Sequence, residues 1–435
     1  MAFIWHWLDL AVPGPGLFLA LQLAFFWGAV HLLLTELRPT RIVAVVSCIL
    51  LGFNPYEIAQ SALVIKDVMG GNIALLALVV LLRYPRTAHR LRLVLLVFAL
   101  LALAGLFRFQ FWLLAIPGFA TIYLFEHTAG AAARAPHMRH VAAAAVAALL
   151  VPVLMAQATM HATLDVRSST DRNFRQVMLF DIGAAIAEYP NLDLHLLAKD
   201  GLDVATLRSA AKADYLPYPM IDWTETGIYD RITDQIGDAL GEPAALGSFS
   251  SKQLTMAQYV AQWKQMLFAV PGPFLETRLL SVVRLLGIGG SVEACWPLTT
   301  VGFLRQPADL WQALHGADLK EAYVTHLLRS RYFPAATFVF RPATYLVLSL
   351  GLCIAWFSSR RRPDVFVYGL VIAAWFYILT FLPFNPDCEV RYSYFACTII
   401  LFALVHWGTS VLELRAKSFA TAQPAAVARE NVGSV

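Results

Sequence analysis

Three short polar clusters interrupt an otherwise apolar chain, and they hold the residues best suited to chemistry. Lys66 and Asp67 stand side by side in NPYEIAQSALVIKDV. Arg108 and Gln110 break the run LAGLFRFQFWLL. Asp387, Glu389, Arg391 and Tyr392 crowd the segment FNPDCEVRYSY. Arginine holds phosphate oxygens bidentately, whereas lysine acts as a compact point charge. The same residues also allow a plainer arrangement, in which Lys66 pairs with Asp67 and Arg391 with Asp387 or Glu389 to close helix ends.

The elements that must position these groups follow from composition. The 435 residues are 59% hydrophobic and 14% charged, where a soluble domain carries about 25% charge. This balance excludes a soluble globular enzyme, a disordered chain and a nucleic-acid binder. It fits an all-α polytopic bundle dissolved in lipid. Residues 160–335 hold 15 Lys and Arg against 19 Asp and Glu, a net of −4. The rest holds 18 against 10, a net of +8. An acidic, water-exposed insert therefore sits within a basic membrane frame. Arginine supplies 26 of the 33 cations, a bias of high-GC bacterial genomes.

Apolar runs predict nine transmembrane helices, near 15–36, 41–54, 68–83, 92–107, 109–125, 141–159, 342–358, 365–383 and 392–412. The fourth and fifth are parted only by Arg108 and read as a tight re-entrant hairpin. The expected units are an N-terminal bundle 1–159, an extracytoplasmic domain 160–341, C-terminal helices 342–415 and a disordered cytoplasmic tail 416–435. Fourteen cations, from Arg38 and Arg41 to Lys417 and Arg429, fall on one side of these helices. Outside the insert only Lys66, Arg108, Arg341 and Arg391 fall on the other. The positive-inside bias makes the richer side cytoplasmic. All three polar clusters then share one depth, at the outer boundary, where ionisable groups mark function by default.

This topology puts Met1 outside. The segment MAFIWHWLDLAVPGPG reads equally as an outer start and as the continuation of an upstream helix and loop. Within the insert, the apolar spacing of 255–287 predicts two amphipathic helices broken at Pro271–Pro273. Cys48, Cys353 and Cys397 lie in apolar runs and read as buried thiols; Cys295 and Cys388 lie in polar stretches outside. His6, His31 and His406 each stand alone, and Asp165, Asp171 and Asp181 lack metal-loop spacing. The sequence names no cofactor and leaves a divalent metal open.

At these clusters the chain resembles the GT-C superfamily of integral-membrane glycosyltransferases, the group of protein O-mannosyltransferase-like and aminoarabinose transferase-like enzymes. The resemblance rests on NPYEIAQSALVIKDV, LFRFQFW, FDIGAAI, QWKQMLFAVPGPFLETRLLSVVRLLG and CEVRYSYF. It implies transfer of a sugar from a polyprenyl-phosphate donor to an envelope glycan, lipid or protein acceptor. The reaction would run on the periplasmic face of a bacterial inner membrane. It also implies that Lys66, Arg108 and Arg391 hold the phosphate, with Gln110, Asp387, Glu389 and Tyr392 beside it. Asp67 is the accompanying carboxylate. The first-loop carboxylate that the family places ahead of a segment such as 1–16 would precede Met1. A flippase of lipid-linked saccharide, or a non-catalytic protein that binds lipid-linked glycan, fits the same charges.

Overall fold

The computed structural model describes residues 16–61, 66–108, 110–129, 138–150, 256–288, 341–358, 364–382 and 392–432, with scattered positions between 7 and 14 and at 154, 181, 185 and 189. Every regular element among the described residues is helical. Two compact units emerge. The first comprises 1–153, 344–377 and 394–435; the second comprises 154–343 and 378–393. The segment 160–341 lies within the second of these.

In the first unit, α1 (Gly16–Leu37), α2 (Arg41–Gly52), α3 (Pro55–Ser61) and α4 (Lys66–Val80) follow in order. A 3-10 turn, Leu81–Arg86, extends α4. Next come α5 (Arg90–Phe107), α6 (Gln110–Leu113), α7 (Ala115–Ala129) and α8 (Met138–Leu150). The chain returns with α11 (Pro342–Ser358), α12 (Val365–Leu379) and α13 (Tyr394–Val432). Each of the nine apolar segments contains a helix. Four are long and apolar enough to cross a membrane, namely Gly16–Leu37, Lys66–Arg86, Arg90–Phe107 and Tyr394–Leu414, and a bent pair in the insert would make five. The helices at 41–52, 138–150, 342–355 and 365–379 are apolar but shorter.

Helix α4 is the axis of this unit. It packs on α1, α5 and α13, and nearly every residue from Asp67 to Val80 is buried. A helix apolar on all sides belongs inside a bundle, not at its rim. By contrast, α2 leaves Ile42, Val45, Val46, Ile49 and Leu50 exposed, as a lipid-facing helix does. Helix α1 ends where Arg38 takes a left-handed conformation (φ 48°) ahead of Pro39, which cannot continue a helix. Thr40 then caps α2, its hydroxyl accepting from the Val43 amide.

Two sequence expectations shift. The run 109–125 is not one helix: α6 covers four residues, and α7 begins at Ala115. Arg108 is extended at φ −155° and ψ 130°, so the turn out of α5 is made by Arg108 itself. The tail read as disordered from 416 instead continues α13 to Val432. Its alanine content supplies the propensity.

In the second unit, α9 (Met256–Ala269) and α10 (Pro271–Leu285) meet at 101°. Val270 is the break, and Pro271 opens α10, a position where its missing N–H costs nothing. Asp181 accepts from both Trp263 Nε1 at 2.9 Å and Arg278 Nη2 at 2.7 Å, which ties α9 and α10 to the FDIGAAI segment.

Candidate functional site

The first unit carries charge at both ends of α4. At one end, Glu36 accepts from Arg83 Nε at 2.7 Å and Arg86 Nη1 at 3.1 Å. Glu126 accepts from Arg90 Nη1 and the Tyr84 hydroxyl, both at 2.7 Å. These are arginines of the side read as cytoplasmic. At the other end, Arg108 Nη1 donates to Asp67 Oδ1 at 2.6 Å and Arg108 Nε to Gln110 Oε1 at 2.9 Å. From Asp67 to Arg83 the chain rises roughly 25 Å at helical pitch, close to the apolar thickness of a bilayer.

Local sequence explains the second cluster. Asp67 lies in the first turn of α4, where the helix dipole favours a negative charge. Gly70, one turn on, gives the room: a Cβ there would stand 2.7 Å from Phe111 Cε2 and 3.1 Å from Phe107 Cβ. Phe111 is held in turn by stacking on Tyr377 at 5.2 Å and by the edge of Phe395 at 5.5 Å. The close approach at Gly70 sets the 108–111 turn against α4 and so brings Arg108 to Asp67. Asp67 is 2% exposed and Arg108 13%. Lys66, one residue earlier, is exposed.

Of the residues singled out in the sequence, Asp67, Arg108 and Gln110 meet, and Lys66 adjoins them. Asp67 pairs with Arg108 across α4 and α5 rather than with its neighbour Lys66 alone. Tyr392 belongs to the second unit, where its ring stacks on Phe381 at 5.6 Å. Asp387, Glu389 and Arg391 lie outside the described residues, as do Cys295 and Cys388. Asp165 and Asp171 lie outside them too.

A second polar group near the same end of α4 was not singled out by sequence reasoning. Asn72 Nδ2 donates to the Gln22 carbonyl at 3.1 Å, and the Tyr394 hydroxyl donates to Asn72 Oδ1 at 2.9 Å. One turn along α13, the Thr398 hydroxyl contacts both the Glu57 carboxyl and the Tyr394 carbonyl. Glu57 is 1% exposed. Burial lifts its carboxyl from the ordinary 4.5 to about 8, outweighing the lowering effect of Thr398 and Tyr394. The signal was present in NPYE. Asn54 accepts from the Tyr56 amide at 2.8 Å and Pro55 begins the helix, so Glu57 holds the third position of a capping box. That motif would send Glu57 back to its own cap, whereas the carboxyl turns to α13.

No group of three or more His, Cys, Asp or Glu among the described residues has the arrangement of a metal site. The polar end of α4 thus offers a fixed guanidinium, an exposed ammonium, a carboxylate and an amide: the means to hold an anion beside a proton acceptor. No family model, curated protein or solved structure matches this chain.

Proposed function

We propose that the chain is a membrane glycosyltransferase that moves a sugar from a polyprenyl-phosphate donor to an acceptor of the cell envelope, on the periplasmic side of a bacterial inner membrane. The observation that carries this reading is the Lys66–Asp67–Arg108–Gln110 cluster at one end of a buried helix. It stands opposite the Glu36 and Glu126 ion pairs. A lipid-linked phosphate needs cations held at the depth where tail meets headgroup, and this cluster has them. The reaction type comes from the resemblance of its short motifs to those of the GT-C superfamily.

In this mechanism the tail lies along the apolar helices and the phosphate meets Lys66 and Arg108. Asp67 fixes the Arg108 guanidinium, and Gln110 holds its Nε, so the donors are aimed before substrate arrives. Fixed cations stabilise charge as it grows on the departing phosphate. Asp67 is our candidate for the group that takes the acceptor proton. In the same proposal the insert selects the acceptor. The nine-span topology belongs to the same proposal.

The test is transfer by the full chain in nanodiscs, supplied with a panel of polyprenyl-phosphate-linked sugars and extracted envelope glycan. Release of polyprenyl phosphate, abolished by Arg108→Ala, supports the reading. Saturable donor binding with no release would place the chain among binding or flipping proteins instead.

A further inference from the structure

We infer that Glu57 is a proton-binding site, a carboxylic acid that carries its proton at neutral pH and thereby latches α3 to the start of α13. Neither the proposed transfer reaction nor the phosphate cluster is needed for this assignment. It rests on three structural facts.

The first concerns protons. The Thr398 hydroxyl owns one, yet its oxygen contacts two acceptors, the Tyr394 carbonyl at 2.9 Å and Glu57 Oε1. A helical Thr normally gives its proton to the carbonyl one turn back. The contact with Glu57 is then satisfied only if Glu57 supplies the second proton.

The second concerns charge. Helix α3 packs against α2 and α13, and the Tyr56 ring lies tilted against Tyr345 of α11 with centroids 5.6 Å apart. On α13 the titratable neighbours are Tyr394 and Cys397, on α11 Tyr345. Helix α2 contributes Cys48, with Arg41 at its far end. No Lys, Arg or His among the described residues of these faces balances a carboxylate at Glu57. Lys66 is exposed, and Arg108 is engaged by Asp67. A buried carboxylate without a counter-ion is neutralised by taking up a proton.

The third concerns unmet acceptors. Glu57 Oε2 and Gln60 Oε1 are buried with no hydrogen-bond partner. The two residues are three apart on α3 and share one face. An ionised carboxylate would leave Oε2 charged, buried and without a donor, whereas a carboxyl that gives its proton to Thr398 through Oε1 leaves only an uncharged carbonyl oxygen there.

Ionisation would leave a bare charge against Thr398, and its release to water would carry α3 with it. Glu57 thus makes the docking of α3 on α13 sensitive to pH.

Infrared spectroscopy of the full chain in nanodiscs tests the assignment. At pH 6.5, Glu57→Gln should remove one carboxylic-acid carbonyl band, and Thr398→Val should move that band to higher frequency. Hydrogen exchange of the α3 peptide reads the latch. Relative to Glu57→Gln, the wild-type peptide should exchange several-fold faster at pH 9 and equally at pH 6.5. Should the Gln variant fail to fold, the Thr398→Val shift decides. An acid band unchanged in both variants, or a carboxylate band lost from Glu57→Gln at pH 6.5, would overturn the inference. So would a wild-type to variant exchange ratio that stays flat with pH.

Discussion

Arg108 donates to Asp67 Oδ1 at 2.6 Å, so the residue that turns the chain out of α5 is tied to the first turn of α4. The two are 41 positions apart in sequence and come together because α4 and α5 run antiparallel, with Gly70 opening space between them. Breaking a buried pair from one side leaves a charge without compensation. Asp67→Ala should therefore cost about 3 kcal/mol of stability, by the usual magnitude for such a loss. The double variant Asp67→Ala/Arg108→Ala should lose less than Asp67→Ala alone. Thermal unfolding of the three proteins in detergent checks this; additive losses would mean that the pair is not coupled.

Gly70→Ala should be poorly tolerated, although alanine favours helices. The new Cβ meets a buried ring 2.7 Å away, and Phe111 is clamped between Tyr377 and Phe395. Overpacking of this kind costs about 1–3 kcal/mol. A lowered melting temperature, relieved by adding Phe111→Leu, is the expected result. An unchanged or raised temperature would show that the turn at 108–111 shifts freely.

Stability should fall as pH rises across a window set by Glu57. The folded protein keeps the proton up to about pH 8, while an unfolded chain releases it near the ordinary 4.5. Between those values the native state binds more protons, so unfolding becomes easier with each step up in pH. The contribution is complete below about 4.5 and gone above about 8. Melting curves of wild type and Glu57→Gln should diverge over that window, with wild type the more pH-dependent. Parallel curves would contradict the assignment.

Labelling tests the topology. Glu36, Arg83 and Arg86 share one end of the first unit, and the proposed topology puts that end in the cytoplasm. In spheroplasts, with the five native cysteines replaced by serine, an impermeant maleimide should leave Ala88→Cys unmodified and label Ser250→Cys. The opposite pattern would invert the chain and place Lys66 and Arg108 inside.

Helix positions were legible in the sequence because apolar runs of this length admit few alternatives in lipid. The 109–125 segment was not, since hydropathy does not register that Arg108 leaves helical geometry or that α6 lasts one turn. The pairing of Lys66 with Asp67 looked natural from adjacency. However, neighbours on a helix point apart, and the long-range partner Arg108 depends on a close approach that only Gly70 hints at. Glu57 escaped notice for a related reason: its spacing from Asn54 suits a capping box, while its partner Thr398 lies 341 positions away. The break in the insert was visible because proline acts locally.

Binding of polyprenyl phosphate to the full chain in nanodiscs tests the central claim most directly. The account predicts saturable binding to wild type. Arg108→Ala should weaken it roughly tenfold to a hundredfold, as for a lost hydrogen bond to charge. Lys66→Gln, at an exposed position that leaves the fold intact, should weaken it as well. Equal binding by all three proteins, or no saturable binding at all, would contradict it.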